Sequence, residues 1–306
     1  MNRLWLGFWL VAHPKIWIAS TVPMLVGTAF AYGTTGSFNF YWFAVSIIGL
    51  YFIEIGKNGA NDLVDYYTGV DAAVAPENQT PFSGGRNRAL VNGQVSIREV
   101  TLITIVTLGL GGLFGLYISF YREPLIFYIG TSGLFFASAY SLPPFKLAYR
   151  GLGEIVVGLT FGPLIVSGAF VVQAGFLTPE VLLVSLPIGF LIANILFINQ
   201  YPDYEADKLC NKRNWVVRLG KLNALKVYIT MFLLFYISIL LLFVLSGNPF
   251  WLLSFISLPL VIPAIRVATN SYNDIPNFIL ANINTLKAYQ ITGATMVLSS
   301  VLKRFL

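Results

Sequence analysis

Apolar runs long enough to cross a bilayer recur along almost the whole 306-residue chain and leave no length for a soluble domain. A helical crossing of a hydrocarbon core about 30 Å thick takes about 20 such residues. Hydropathy divides the chain into nine of them, near 15–33, 40–60, 99–119, 124–141, 153–173, 180–200, 224–246, 249–268 and 279–301. Composition points the same way. The chain is 57% hydrophobic and only 10% charged, with a mean hydropathy of +0.74, against roughly 25% charged in globular proteins. The fold class is therefore an all-α integral membrane protein with about nine transmembrane helices, forming one membrane-embedded domain over residues 1–306.

Several function classes fall away at once. The lone Cys210 excludes an internal disulfide, thiol-pair redox chemistry and a metal-thiolate cluster. There is no GxxxxGK[ST] sequence to support nucleotide hydrolysis. The single histidine, His13, reads as an interface residue rather than a catalyst. The run LWLGFWLVA is cut by His13-Pro14-Lys15 too early to span, so it reads as an interfacial helix with Trp5 and Trp9 at headgroup depth, not as a signal peptide.

Charge placement orients the chain. The loops after the second, fourth, sixth and eighth spans hold Arg86, Arg88, Arg98, Lys146, Arg150, Lys208, Lys212, Arg213, Arg218, Lys221 and Arg266. The alternate loops hold only Arg122 before the C-terminal Lys303 and Arg304. By the positive-inside rule the first set and the N-terminus are cytoplasmic, which makes this a multi-pass protein of the cell membrane. The basic pI near 9.3 follows from those loops and gives no reason to invoke nucleic acid.

Two acidic clusters interrupt this apolar pattern, both on the cytoplasmic side. The first is GANDLVDYYTGVD, with Asn61, Asp62, Asp65 and Asp71; the second is NQYPDYEADK, with Asn199, Asp203 and Asp207. The string NxxxDY occurs in both, at Asn61 and at Asn199, which suggests an internal duplication. On a helix, Asp62 and Asp65 share one face, as do Asp203 and Asp207. A carboxylate in a membrane costs about 2.5–3.5 kcal/mol at mid-bilayer and less near the interface, so such groups normally mark function.

Hard oxygen ligands of this kind suit Mg²⁺, which commonly takes one or two carboxylates together with substrate phosphates. Arg86, after Ser83-Gly84-Gly85, with Lys146 and Arg150 in SLPPFKLAYRG and Lys208, Lys212 and Arg213 after the second cluster, imply a polyanion as a set. Singly, each reads equally well as a topology determinant, and either cluster alone as a solvated helix end. Aromatic residues, 15% of the chain, supply core, lipid-facing surface and potential cavity walls.

The stretches NDLVDYYTGVD, SGGR, YSLPPFKLAYRGLGE and INQYPDYEADK resemble the UbiA-type intramembrane prenyltransferases over nearly all of the chain. The resemblance implies a helix bundle around a central cavity, with a cytoplasmic-side site for Mg²⁺ and a polyprenyl diphosphate, in which Asp62, Asp65, Asp203 and Asp207 are catalytic. It implies that these four and Asp71 are metal ligands, and that Arg86, Lys146, Arg150, Lys208, Asn61 and Asn199 bind diphosphate. Much of the family reads NDxxDxxxD, whereas here Gly69 stands at the third acidic position and the carboxylate is delayed to Asp71.

That delay, with DYYTGVD, SGGR and VRLG, most resembles the branch that prenylates 1,4-dihydroxy-2-naphthoate with decarboxylation for menaquinone. Lys15 is then a candidate for holding the acceptor carboxylate. Two acceptors stand as alternatives, 4-hydroxybenzoate and geranylgeranylglyceryl phosphate. The partners implied are the diphosphate, the aromatic acceptor and the lipid bilayer, with no nucleic acid and no obligate protein partner. A cation-coupled transporter is the non-enzyme rival. It calls for carboxylates near the midplane, whereas both clusters lie at one end of their spans.

Overall fold

The computed structural model describes residues 3–82 and 89–306, and among them the regular elements are all helical. Helix α1, Arg3–Ala12, stops at His13, and a 3-10 turn over Pro14–Ile16 leads into α2, Ile18–Thr35, at a bend of 54°. Pro14 ends the run as expected, since it has no N–H to continue the helical ladder. Helix α3, Phe40–Thr68, is capped by the Asn39 side chain and runs unbroken through the first acidic cluster. It ends at Gly69, whose φ of 81° is left-handed, and a short α4, Val70–Ala73, follows.

The remaining elements are α5 (Ile97–Tyr121), started by a Ser96/Glu99 capping box, α6 (Leu125–Ala139), α7 (Gly153–Leu159) and α8 (Ile165–Ala174). A π turn, Thr160–Leu164, joins α7 to α8. Next come α9 (Pro179–Asn199), α10 (Tyr204–Leu209), α11 (Trp215–Leu219) and α12 (Lys221–Ser246). A 3-10 stretch, Pro249–Ser257, then leads into α13 (Leu258–Ser271), and α14 (Ile275–Leu302) closes the chain.

Six of these units are long and apolar enough to cross a membrane, counting α7–α8 and the 3-10 stretch with α13 as one each, and the bent α1–α2 pair makes seven. This is fewer than the nine expected from hydropathy. Helix α6 has only 15 residues, and α14 has 28 but is interrupted by Asn277, Asn282, Asn284, Lys287 and Gln290. Length and composition settle whether a helix can cross alone; a polar or short one must be sheltered by its neighbours.

Helix α9 is the most buried of the spans and packs against α7, α12 and α14. Ile188, Leu191 and Phe197 on α9 and Phe30, Phe170, Tyr228, Phe232 and Tyr289 on its neighbours form the core. A Cβ on Gly162 would lie 2.8 Å from the Cα of Gly189, so this pair of glycines permits the close approach of the π turn to α9. Large apolar side chains such as Leu113 and Phe120 point outward, as a lipid-facing surface requires.

Candidate functional site

Both acidic clusters come to the same end of the bundle, but they are built differently. In the first, continuous helix keeps Asn61 and Asp65 one turn apart on one face, and the Asn61 Nδ2 donates to Asp65 Oδ2 at 2.9 Å. Gly69 then turns the chain so that Asp71 sits on α4, which packs against α10. A Cβ at Gly69 would meet nothing within 4 Å, so glycine is favoured there by its left-handed backbone alone. The short helix carrying the delayed third carboxylate thereby lies against the helix of the second cluster. In that cluster Pro202 follows the end of α9, so Asn199 and Asp203 lie on different elements; Asp203 stands just before α10, and the Asp207 N–H donates to its carbonyl at 2.8 Å.

Asp62, Asp65, Asp71 and Asp207 are buried and Asp203 is half-buried. Among the described residues, Lys212 reaches both clusters. Lys212 Nζ lies 3.0 Å from Asp65 Oδ2, 3.1 Å from Asp65 Oδ1 and 3.9 Å from Asp207 Oδ1. The Tyr149 hydroxyl donates to Asp65 Oδ1 at 2.6 Å and lies 2.7 Å from the Thr68 hydroxyl. Asn214 Nδ2 donates to Asp207 Oδ2 at 2.6 Å, and Ser141 Oγ to Asn61 Oδ1 at 2.9 Å.

Two loops carry these groups, and they are fastened together. The Arg213 N–H donates to the Tyr149 carbonyl at 3.1 Å, Arg218 Nη2 to the Arg150 carbonyl at 2.7 Å, and Trp215 Nε1 to the Gly151 carbonyl at 2.8 Å. Buried Glu154 accepts from the Trp215 N–H at 2.9 Å.

Burial pushes the Asp207 carboxyl up to about 8; Lys212 opposes the rise, Asp203 and Asp65 add to it, and the Asn214 amide opposes it. Burial would lower the Lys212 ammonium, but Asp65 and Asp207 hold it well above its usual value.

Of the other sequence-stretch candidates, Lys146 Nζ stands 5.3 Å from the Tyr149 ring, beside the cluster. Arg150 is exposed and donates to the Pro144 carbonyl at 2.8 Å, and exposed Lys208 lies 5.8 Å from the Tyr204 ring. Asn199 accepts from Asn282 Nδ2 of α14 at 2.7 Å. Lys15 is exposed at the α1–α2 break. Arg86 lies outside the described residues. Nothing in the sequence singles out Tyr149, Asn214, Ser141 or Thr68, and spacing alone does not separate Lys212 from its basic neighbours. Tyr149 does lie inside the quoted SLPPFKLAYRG, but nothing in that string separates it from Phe145 as a packing aromatic.

Among the described residues no three His, Cys, Asp or Glu side chains converge as a ready metal cage. The donor set nonetheless fits a hard divalent cation that keeps waters and substrate phosphates as its other ligands. It consists of carboxylate oxygens, two clusters of which already share one ammonium, and Asp207 Oδ1 is buried with no hydrogen bond.

An apolar cavity of about 460 Å³ adjoins this polar end. It is bounded by α3, α5, α6, α7, the π turn and α8, with walls such as Leu50, Leu108, Leu134 and Val156. Tyr140 belongs to both regions: it lines the cavity and lies within electrostatic reach of Lys212, Glu154, Asp65 and Asp207.

The sequence profile of the UbiA prenyltransferase family matches residues 20–286. The chain is 32% identical over 222 residues to the 2-carboxy-1,4-naphthoquinone phytyltransferase of Synechocystis sp., covering 72% of this chain and 67% of that one. It is 24% identical over 299 residues to the 1,4-dihydroxy-2-naphthoate octaprenyltransferase of Bacillus subtilis, covering 97% and 93%. Its fold superposes on a UbiA homolog from Archaeoglobus fulgidus bound to GPP and Mg²⁺ with a TM-score of 0.69 at 22% identity, covering 98% and 99% of the two chains. A profile that spans most of the chain, over a fold of matching extent, places this protein in the UbiA prenyltransferase family.

Proposed function

We propose that this protein transfers an isoprenyl chain from a polyprenyl diphosphate to 1,4-dihydroxy-2-naphthoate, with loss of carbon dioxide. The observation that carries the reading is the placing of Tyr140, which lines the apolar cavity and lies within electrostatic reach of the buried carboxylates Asp65 and Asp207. That is the outline of an amphiphile with a polyanionic head and a hydrocarbon tail. The naphthoate acceptor is supported by the names of the Synechocystis and Bacillus subtilis relatives.

The chemistry follows from the groups at hand. Asp62, Asp65, Asp71, Asp203 and Asp207 would hold a divalent cation, Mg²⁺ by the preference of hard oxygens, which would supply charge neutralisation for the departing diphosphate. Lys212 and Lys146, flanking Tyr149, orient the phosphate oxygens, and Tyr149 and Asn61 hold Asp65 in place. The apolar walls exclude water from the allylic carbon, so that it is taken by the ring and not hydrolysed. The ring carbon bearing the carboxylate forms the new C–C bond while the C–O bond to diphosphate breaks. The carboxylate then leaves as carbon dioxide and returns its electron pair to the ring, so no proton is lost. Basic loops on the same end as the clusters support a cytoplasm-facing site in the cell membrane.

The test incubates purified protein with Mg²⁺, geranylgeranyl diphosphate and a panel of acceptors, and weighs the products. A prenylated dihydroxynaphthalene that has lost its carboxylate is the expected product. Turnover confined to 4-hydroxybenzoate or geranylgeranylglyceryl phosphate overturns the naphthoate assignment.

A further inference from the structure

Inside the cavity, away from both acidic clusters, one ion pair faces walls that are otherwise almost wholly aliphatic and aromatic. Glu54 and Lys57 of α3 both line it, with Lys57 Nζ 2.8 Å from Glu54 Oε1. The glutamate is the fixed member: it is 4% exposed, and its other oxygen accepts from the Ser20 hydroxyl of α2. The lysine is the available member, 23% exposed, with one of its three donors engaged by Glu54. Its ammonium stands 5.2 Å from the centre of the Phe161 ring. Thr160, beside Phe161, presents to the same cavity a buried hydroxyl with no hydrogen-bond partner. Both residues are carried by the π turn, a local irregularity of the kind found at functional sites.

Lys57 is also in register with the reaction centre. Lys57, Asn61 and Asp65 are spaced four apart on one unbroken helix, so they line one face, with Lys57 about 12 Å from Asp65 along the axis. An ammonium, an unsatisfied hydroxyl and an aromatic ring in a cavity on the helix that carries the first acidic cluster together describe a receptor for a flat, singly charged aromatic anion.

Resting on the prenyl-transfer reading above, we propose that Lys57, Thr160 and Phe161 form the seat of the aromatic acceptor, with Lys57 pairing its carboxylate. The anchor is thus a lysine inside the α3 span and not Lys15, which is exposed at the α1–α2 break. Glu54 acts through Lys57, holding the ammonium toward the cavity.

The experiment measures equilibrium binding to the full chain in detergent, using 1-hydroxy-2-naphthoate, 1-naphthol as its counterpart without carboxylate, 4-hydroxybenzoate, and geranylgeranyl diphosphate with Mg²⁺. Wild-type protein is expected to prefer the naphthoate to the naphthol by about 10- to 100-fold, the size of a hydrogen-bonded charge pair. Lys57→Met abolishes that preference, Lys57→Arg keeps most of it, and diphosphate binding is unchanged in both. Because Lys57→Met leaves Glu54 buried without its partner, the double variant Glu54→Gln/Lys57→Met serves as the well-folded control and must also lose the preference. A double variant that still prefers the naphthoate overturns the seat while leaving the acceptor assignment standing. A Lys57-dependent preference shown for 4-hydroxybenzoate and not for the naphthoate keeps the seat and overturns the naphthoate assignment. A wild-type protein that does not discriminate acid from naphthol overturns the seat.

Discussion

Two lysine–carboxylate pairs lie at opposite ends of the bundle, each joining segments more than a hundred residues apart, and they differ in what surrounds them. At one end Lys303 Nζ lies 2.8 and 3.0 Å from the two oxygens of Glu180, with the Phe30 ring 4.6 Å away. Lys212 is about as close to Asp65, at 3.0 and 3.1 Å. Yet Glu180 is 35% exposed, whereas Asp65 is 7% exposed, takes hydrogen bonds from Tyr149 and Asn61 as well, and stands with Asp207 across the same ammonium. The first pair is a balanced latch between the start of α9 and the end of α14. In the second, two buried carboxylates, Asp65 and Asp207, face one ammonium among the described residues, an arrangement that suits a further cation. The same contact type therefore differs in what it can do according to the groups buried around it.

The comparison breaks entirely if the two ends share a side of the membrane. On a Cys210→Ser background, single cysteines placed at exposed Asn211 or Arg213 are expected to be shielded from an outside reagent while one at Arg304 is labelled; outside labelling of both ends refutes the topology.

Asp65→Asn, Asp203→Asn and Asp207→Asn each remove a ligand charge without changing size and should lower Mg²⁺-dependent transfer about 100-fold or more. Asp71→Asn should lower it less. Glu180→Gln should leave turnover within about twofold, since the pair is partly solvated and lies far from the acidic clusters. Full activity in the Asp65 and Asp203 variants would remove the functional half of the contrast.

A further difference lies in stability. Lys212→Met leaves Asp65 and Asp207 facing each other and should cost about 3 kcal/mol in the presence of EDTA, with most of the loss restored by Mg²⁺. Lys303→Met should cost about 1 kcal/mol or less, and equally with or without Mg²⁺. Thermal melts of both variants in the two conditions measure this. Equal Mg²⁺ rescue of both variants would show that the two pairs are of one kind.

Finally, Tyr149→Phe deletes one hydrogen bond to Asp65 and should reduce turnover about tenfold with little change in the diphosphate KM. Unchanged turnover would reduce Tyr149 to a packing residue.

Much of the acidic site is legible in the sequence, because the first cluster is helical and helical spacing places side chains. Asn61 and Asp65 meet as their four-residue separation requires, and Gly69 followed by Asp71 marks the turn the chain makes. The second cluster is less legible: NxxxDY reads like a copy of the first, but Pro202 separates Asn199 from Asp203. The difference between nine expected spans and the seven that qualify by length and composition has a related reason. Hydropathy alone scores α6 and α14 as crossings, though one is short and the other is polar.

The sequence by itself determined the helical class, the membrane setting and the gathering of charge at one end. These depend on composition and on periodicities set by backbone geometry, which are local. Only the tertiary structure decided that Lys212, and not Lys208 four residues before it, reaches Asp65, that Tyr149 joins it there, and that Lys57 looks into a cavity. Lys212 and Asp65 are 147 residues apart, and the direction of a loop side chain is set by the distant segments packed against it. Two strands of loop tied at Arg213–Tyr149 and Arg218–Arg150 set that direction here, and no spacing within either loop encodes the knot between them.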